Sequence, residues 1–347
     1  MPLEQGLPNN EDLVQLSWIG KLLGVMISGE GERFKVGQQQ FVVRNGIPRS
    51  EKLLSETQSQ TKDAFGFIWS ESTRFKSEKS LEFLTEWYKS HYGDIANAHW
   101  WSDYGINPLL LDAGCGSGIS SLGLFGERLK RVQYLGVDVS NAVEAARNRL
   151  KASGVEGAFL QTSLMDLPLS DSSVDVIYSQ GVLHHTDSTE LAIKSLAAKL
   201  KSGGRFLFYV YRRKGPIREF VDDFVRDKLQ GISSEEAWRA MLPLTKLGKL
   251  LGDLNLEIEI PEPIALLEIP AGKINLQRFF YWHVLKAFHH PDMSLEELNH
   301  INLDWYMPVN AHRQTAEQVR TWCTDAGLAI EREHLQESGI TVIARKK

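Results

Sequence analysis

The segment from Leu109 to Gly118 constrains the fold more than any other part of the chain. It begins with three leucines, which predict a fully buried strand that Asp112 closes. Glycines then stand at positions 114, 116 and 118, where a backbone without a Cβ can turn sharply and approach a ligand. A helix can begin directly after them, with its N-terminal amides pointing into the same crevice. The segment therefore predicts a nucleotide-type site.

Strands and helices alternate from Pro108 to Tyr211. Strands are predicted at 109–111, 134–139, 174–179 and 205–211, with helices such as 142–152 and 190–200 between them. This alternation is typical of a parallel sheet with helices on both faces. It resumes near Ala311, where Thr315 and Gln318 predict a capping box that opens a helix, followed by strands at 329–334 and 340–345.

The remaining segments predict additions to this α/β core, which comprises residues 106–211 and 311–347. Residues 1–60 predict an N-terminal extension, with a helix over 12–26, short strands at 34–36 and 40–43, and a break at 45–48. Residues 61–105 are rich in aromatic side chains and predict a helical lid. Residues 212–310 predict a mainly helical insertion. Because open α/β sheets bind ligands at the carboxyl ends of their strands, a late insertion there predicts a substrate cap.

Composition limits the binding partners and the cellular location that can be expected. A net charge of -5 gives no general attraction to nucleic acid or to an anionic membrane. The sequence holds no apolar run of the roughly 18 residues that a membrane span needs, and the polar, acidic residues 1–12 do not resemble a secretory signal. Two cysteines cannot build a disulfide framework or a zinc site. We expect a cytoplasmic protein with no metal site and no nucleic-acid or membrane partner, and the oligomeric state stays open.

The spacing of the glycines separates two classes of nucleotide site. The dinucleotide fingerprint Gly-x-Gly-x-x-Gly would place its third glycine at position 119, which is Ile119. Asp138 ends the second predicted strand, and a carboxylate there can accept both ribose hydroxyls in either class. A Gly-Lys-Ser/Thr sequence is missing, which excludes a phosphate-binding P-loop.

The ordered motifs of the core resemble those of the class I S-adenosylmethionine-dependent methyltransferases. The matching segments are 112–118 (DAGCGSG), 136–138 (GVD), 165–168 (MDLP), 174–177 (VDVI), 181–185 (GVLHH) and 200–204 (LKSGG). The resemblance implies a doubly wound, Rossmann-like α/β fold with a seven-stranded sheet, S-adenosylmethionine as cofactor, and methyl transfer. Residues 46–48, 65–69 and 304–313 further resemble a bacterial subgroup that acts on small molecules. Its zinc-ribbon-like N-terminal unit would be metal-free here, because the ligand cysteines are missing.

The resemblance also implies which residues bind the cofactor. The three glycines would pass beneath its methionine and ribose portions, Asp112 would hold its ammonium group, and Asp138 its ribose diol. The acid that usually binds the adenine amino group aligns with Ser163, so Ser163 or Asp166 would take that role. The full cofactor-binding set is Asp112, Gly114, Cys115, Gly116, Gly118, Asp138, Val139, Ser163, Leu164, Asp166, Ser179 and Gln180, with Phe65 and Trp69 from the lid.

Candidate catalytic residues follow from the needs of methyl transfer. A sulfonium methyl is already activated, so a base is required only when the acceptor arrives protonated. Imidazole titrates in the useful range, and two histidines follow the fourth strand. The candidates are His184 and His185 from the core, and Tyr281, His283, Tyr306 and His312 as acceptor-facing groups of the cap. The competing interpretation is structural: at least one of the paired histidines, and the aromatic run 279–282, would serve packing.

We therefore predict a methyltransferase that acts on a small organic molecule. The apolar and aromatic cap suits an organic acceptor, and the chain lacks the basic stripe expected for RNA or DNA. Methylation of protein or RNA is the first alternative. Cofactor binding without methyl transfer is the second alternative, because the motifs indicate cofactor binding and do not by themselves indicate methyl transfer.

Overall fold

The structure, a computed structural model, describes residues 10–70 and 78–347. Its strands are β1 Arg33–Val36, β2 Gln39–Arg44, β3 Ile47–Ser50, β4 Leu109–Ala113, β5 Gln133–Asp138, β6 Gly157–Gln161, β7 Val174–Gln180, β8 Leu200–Tyr211, β9 Glu257–Ile260, β10 Gly272–Asn275, β11 Leu328–Leu335 and β12 Gly339–Lys346. Its α-helices are α1 Asn10–Leu23, α2 Glu56–Ser70, α3 Glu78–Tyr92, α4 Ile119–Phe125, α5 Ala142–Ala152, α6 Thr189–Lys199, α7 Pro216–Lys228, α8 Ser234–Leu254, α9 Leu276–His283, α10 Leu295–Tyr306 and α11 Ala316–Asp325.

Ten of these strands form one sheet, in the order β1-β2-β3-β6-β5-β4-β7-β8-β12-β11. Strands β6, β5, β4, β7 and β8 run parallel, and β12 is antiparallel to both of its neighbours. All five residues of β4 are buried, as expected for a central strand covered on both faces. The α/β, doubly wound, Rossmann-like fold is thereby confirmed. Its seven strands are, in sheet order, β6, β5, β4, β7, β8, β12 and β11.

The N-terminal strands extend this sheet, so the sheet has ten strands where seven were expected. The prediction of a break at 45–48 is wrong, because β2 and β3 form a hairpin whose turn is Asn45 and Gly46. Both turn residues have positive φ, 52° and 67°, as a two-residue turn between twisted strands requires. Strand β3 then pairs in parallel with β6, through Arg49 and Gln161.

Two helices of the core begin where the sequence predicts them. Helix α5 spans Ala142–Ala152. Helix α11 is preceded by the expected capping box, in which the Thr315 hydroxyl accepts from the Gln318 amide and the Gln318 side chain accepts from the Thr315 amide. These reciprocal bonds satisfy amides that the first turn leaves without helical partners.

The segment between β8 and α11 holds α7, α8, a hairpin of β9 and β10, α9 and α10. A buried polar network joins α7 to α10. Arg218 and Asp222 form an ion pair of 2.9 Å, and Asp222 also accepts hydrogen bonds from the Trp305 indole at 3.0 Å and the Tyr306 hydroxyl at 2.7 Å. Burying charges is costly unless they are paired and hydrogen-bonded, and here each partner is satisfied. The network therefore fixes α10 over the sheet.

Candidate active site

The glycine turn follows β4 and takes a backbone conformation that other residues rarely adopt. Gly114, Gly116 and Gly118 have φ values of 86°, 49° and 77°. A Cβ at Gly114 would overlap the side chain of Val182, and one at Gly118 would lie 2.6 Å from a methyl group of Leu150. At Gly116 a Cβ would meet no protein atom within 4 Å. The outer glycines therefore serve packing, whereas the middle one faces open space.

Asp138 lies at the carboxyl end of β5, directly beside that turn. Its Oδ2 accepts a hydrogen bond from the Gly116 amide at 2.9 Å, and its Oδ1 accepts from the amide and hydroxyl of Ser140 at 2.8 Å and 2.7 Å. The side chain is 9% exposed, and burial raises its pKa above the ordinary value. Each carboxylate oxygen can accept more than one hydrogen bond, so the oriented group can also receive a ribose diol.

Asp112 is buried behind the turn, away from the cavity surface. Its Oδ2 accepts from the hydroxyls of Ser121 and Tyr134, both at 2.5 Å. Its Oδ1 is buried and receives no hydrogen bond from the described residues. Burial raises the Asp112 pKa to about 6, against the lowering effect of the two hydroxyls. This unfilled acceptor fits the ammonium partner that the resemblance implies for Asp112.

A cavity of about 330 Å³ opens over the glycine turn. This volume is at the lower end of the range usual for small-molecule sites. Most of the expected cofactor residues share its wall: Phe65, Gly114, Cys115, Gly116, Asp138, Val139, Ser163, Leu164 and Gln180. The structure thus brings together residues from α2 and from the ends of β4, β5, β6 and β7.

Four expected cofactor residues do not line this cavity. Asp112 and Gly118 lie behind the turn, and Ser179 donates its hydroxyl to the Ala113 carbonyl at 2.8 Å. Asp166 faces a neighbouring surface hollow and pairs with Lys52 at 2.6 Å, so the alternative adenine partner points away. The side chain of Trp69 lies outside the described part of the structure.

His185 is the core histidine on the cavity wall. Its Nδ1 lies 2.5 Å from the Asn310 carbonyl, which requires the proton on Nδ1 and leaves the Nε2 lone pair available. Burial lowers its pKa to about 3. The Phe65 ring packs edge-on against the imidazole, with the ring centres 4.8 Å apart. Burial and the bond to Asn310 therefore favour the neutral imidazole, with Nε2 as its acceptor atom.

Four of the six catalytic candidates do not line the cavity, which corrects the expectation for them. His184 is fully buried against the Tyr211 ring, at 3.6 Å between ring centres, and its Nδ1 accepts from the Tyr211 amide. Tyr306 donates to Asp222, and His312 Nε2 lies 3.0 Å from the Thr186 carbonyl. His283 packs against Phe279. All four are absent from the described cavity wall, because packing and backbone hydrogen bonds engage them.

Helix α3 and strand β8 supply wall residues that the motifs did not indicate. Helical spacing places Phe83, Trp87 and Tyr88 on one side of α3, and strand alternation places Tyr209 and Tyr211 on one face of β8. Both periodicities are visible in the sequence. They show that these residues share a face, and only the tertiary packing shows that this face borders the site.

The cap supplies the remaining walls of the cavity. Its contributing residues are Tyr281, Lys286, Phe288, His300, Ile301 and Asp304. Tyr281 is the one cap candidate among the described lining residues. Lys286 and Asp304 bring opposite charges to the wall, and no sequence motif marks either one.

The described residues contain no cluster of three or more histidine, cysteine or acidic side chains suited to a metal ion. Among these residues, no helix combines the length and the apolarity that a membrane crossing needs. Cys115 lines the cavity as a buried free thiol whose pKa burial raises well above its ordinary value. A thiol in that state suits packing rather than nucleophilic attack.

Comparison with known families places this site in a defined class. Residues 111–208 match the family model described as a methyltransferase domain. The match runs from the end of β4 to the middle of β8 and includes the glycine turn, Asp138 and His185. Residues 111–208 therefore carry a methyltransferase domain, in agreement with the class that the resemblance of the ordered motifs implies.

Curated relatives align with parts of the chain. A tRNA U34 carboxymethyltransferase from Shewanella pealeana is 30% identical over 200 residues, which cover 50% of this chain and 60% of that protein. The uncharacterized methyltransferase YcgJ of Bacillus subtilis is 31% identical over 148 residues, covering 40% of this chain and 56% of that protein. The alignments thus span little more than half the length of these relatives.

Solved structures with a similar fold include two from Burkholderia thailandensis. The 1,6-didemethyltoxoflavin-N1-methyltransferase, with bound 1,6-didemethyltoxoflavin and S-adenosylhomocysteine, has a TM-score of 0.45 and 12% identity, covering 91% of this chain and 99% of that chain. An O-methyltransferase family protein has a TM-score of 0.40 and 13% identity, covering 84% of this chain and 70% of that chain.

The residues of this site fit S-adenosylmethionine, the cofactor that the motif resemblance implies. Gly116 leaves open space where a side chain would stand, Asp138 turns its carboxylate toward that space, and Asp112 keeps an unfilled acceptor behind it. Ser163 lies on the wall near the expected adenine position, although its hydroxyl already accepts from the Met165 amide at 3.2 Å.

Proposed function

We propose that the chain transfers a methyl group from S-adenosylmethionine to a small organic acceptor. The observation that carries the proposal is the continuity of one cavity, whose wall runs from the glycine turn to Tyr281 and Lys286 of the cap. Cofactor and acceptor held in one space can meet in line, and such alignment is the main requirement of methyl transfer. The two buried free cysteines suit a reducing compartment, and we propose a cytoplasmic setting.

The residues of the site would divide the work between binding, exclusion of water and proton transfer. The cofactor supplies an activated sulfonium methyl group. Asp138 orients the ribose, and the Gly116 backbone permits the close approach. The aromatic walls contributed by α3, β8 and the cap exclude water from the reacting atoms. His185 can accept a proton at Nε2 from an acceptor that arrives protonated, because its Nδ1 proton is held by Asn310.

A tRNA acceptor is the second candidate, and one observation favours it. A curated relative that aligns with half of this chain is a tRNA U34 carboxymethyltransferase. The net charge of -5 favours a small molecule instead, since RNA binding relies on clustered cationic side chains. The aromatic lining of the cavity beneath the cap also favours a small organic acceptor.

Partition of a labelled methyl group tests the proposal. The chain is incubated with methyl-labelled S-adenosylmethionine and, separately, with a metabolite extract, total RNA or denatured protein. The proposal predicts label in the low-molecular-weight fraction of the metabolite reaction. Label confined to RNA or protein would overturn the small-molecule assignment, and no transfer in any reaction despite cofactor binding would overturn the transferase assignment.

A further inference from the structure

The cap side of the cavity holds two opposite charges that do not pair with each other. Lys286 follows α9 and is 7% exposed, and Asp304 lies half-buried on α10. Both side chains line the cavity. Each bears on the pKa of the other: burial lowers the Lys286 pKa to about 8 and raises the Asp304 pKa to about 6, and the opposite charge offsets part of each shift. Each charge therefore favours the charged form of the other.

Neither charge has a hydrogen-bonded partner within the described residues. The Lys286 ammonium lies 4.9 Å from the centre of the Trp305 ring, and only the backbone amide of Lys286 makes a hydrogen bond, to the Tyr306 hydroxyl. Asp304 lines the cavity, and none of the residues that the structure describes donates a hydrogen bond to its carboxylate. Charges removed from water cost free energy unless they are paired and hydrogen-bonded. A bound molecule is the partner that the cavity can still accept.

The neighbouring charges are already engaged and do not compete for that role. Arg218 is bound to Asp222. Arg226 pairs with Asp223 at 2.7 Å and donates to the Trp305 carbonyl at 3.1 Å. Lys286 is consequently the cation that this part of the cavity offers to a ligand, and Asp304 is the anion.

The surface around these two charges is aromatic. Tyr88 reaches the cavity from α3, Tyr211 from β8, and Tyr281 and Phe288 from the cap. Their rings present flat apolar faces, which bind planar rings by offset stacking and edge contacts. A flexible aliphatic chain would gain the apolar contact without these geometric preferences.

We propose that the methyl acceptor is an aromatic compound with an anionic oxygen, such as a carboxylate, bound by Lys286, and a hydrogen-bond donor held by Asp304. The inference rests on the proposed function, because it names the acceptor class of the same cavity. The charge-assisted bond to Lys286 fixes one end of the ring and the Asp304 carboxylate fixes a hydroxyl or amine. The ring then lies between the cap and the glycine turn.

Binding of matched acids and esters tests this inference. The probes are hydroxybenzoic, hydroxycinnamic, hydroxynaphthoic and anthranilic acids, each paired with its methyl ester, titrated into the chain saturated with S-adenosylhomocysteine. The variant Lys286→Met removes the charge and keeps the length of the side chain. Lys273→Met, at an exposed position of the cap hairpin, is the matched control. Affinity for S-adenosylhomocysteine and the melting temperature report on folding in every variant.

The expected result is at least one acid that binds tenfold or more tightly than its ester. Lys286→Met should reduce that preference to less than twofold and leave ester binding unchanged, whereas Lys273→Met should keep the preference. Asp304→Asn should weaken binding of the hydroxyl- or amine-bearing acids and have little effect on their O-methyl or N,N-dimethyl counterparts.

Two outcomes would overturn the inference while the proposed function stands. One is cofactor binding with no acid preferred over its ester, and the other is a preference that survives in Lys286→Met. Failure of the wild-type chain to bind S-adenosylhomocysteine would instead overturn the proposed function, and the acceptor assignment with it.

Discussion

The Asp138 carboxylate accepts a hydrogen bond from the Gly116 amide at 2.9 Å, which joins the end of β5 to the turn after β4. The same carboxylate lines the cavity. Asp138→Ala should therefore both remove the hydrogen-bond partner of the ribose and loosen the glycine turn. We expect affinity for S-adenosylhomocysteine to fall at least 30-fold, equivalent to about 2 kcal/mol, as measured by calorimetry.

Asp166→Ala is the matched control for that substitution. Asp166 pairs with Lys52 beside the neighbouring hollow and does not line the cavity. Its removal should change cofactor affinity less than threefold, because surface ion pairs contribute little. A large loss in Asp166→Ala together with a small one in Asp138→Ala would reverse the two assignments.

The glycines of the turn should separate into one that binds and one that supports the fold. Gly114→Ala places a Cβ into the Val182 side chain at positive φ, and should lower the free energy of unfolding by about 3 kcal/mol. Gly116→Ala meets no protein atom and should cost about 1 kcal/mol in stability. It should nevertheless weaken cofactor binding at least tenfold.

Denaturant unfolding and calorimetry on the same two variants check this pair of outcomes. Adding Val182→Ala to Gly114→Ala should recover part of the lost stability, since it removes the methyl groups that overlap the new Cβ. Equal loss of stability in the two single variants would show that the open space at Gly116 plays no special part.

The sequence predicted the core well because its signals there are local. Residues 109–118 alone predict a buried strand, a turn and a ligand site, and the Thr315 capping box predicts the start of α11. Asn45 and Gly46 form a hairpin turn where a break was expected, so β3 and its pairing with β6 were not predicted, whereas the short strands at 34–36 and 40–43 correspond to β1 and β2. Strand β6 was not among the predicted strands.

Substitution of the paired histidines should separate a catalytic role from a structural one. His185→Asn retains a side-chain donor for the Asn310 carbonyl but loses the basic Nε2. If the acceptor arrives protonated, kcat/KM for labelled methyl transfer should fall at least 100-fold while cofactor affinity stays within threefold. His184→Asn should instead lower stability, because His184 packs on Tyr211 and does not line the cavity.

The pH dependence of stability provides an independent check on His185. Burial lowers its pKa from the ordinary 6.5 to about 3 in the folded chain. Between these values the unfolded chain binds a proton that the folded chain does not, so folding weakens as the pH falls. Relative to His185→Asn, the wild type should lose up to about 1.4 kcal/mol of stability per pH unit below pH 6.5.

Denaturant unfolding of the two proteins between pH 4 and 8 measures this difference. The difference should be constant above the ordinary pKa and grow steadily below it. A difference that stays constant across the whole range would show that His185 titrates alike in the folded and unfolded chain, and would place it in a wetter environment than the structure shows.

The acceptor side of the site was less predictable than the cofactor side. Among the cap candidates, Tyr281 lines the cavity, whereas Tyr306 donates to the Asp222 carboxylate and His312 is hydrogen-bonded to the Thr186 carbonyl. No sequence motif marks Lys286 or Asp304. They line the same cavity only because α10 folds over the sheet. A motif records residues close in sequence, whereas this wall is assembled from segments far apart.

The central claim is that the turn from Gly114 to Gly118, with Asp138 beside it, holds a sulfonium cofactor. Calorimetric titration of the chain with S-adenosylmethionine and, separately, with NAD tests it most directly. The structure predicts saturable one-site binding of S-adenosylmethionine, which Asp138→Ala weakens at least 30-fold, equivalent to about 2 kcal/mol, and no measurable binding of NAD. Binding of NAD without binding of S-adenosylmethionine would contradict it.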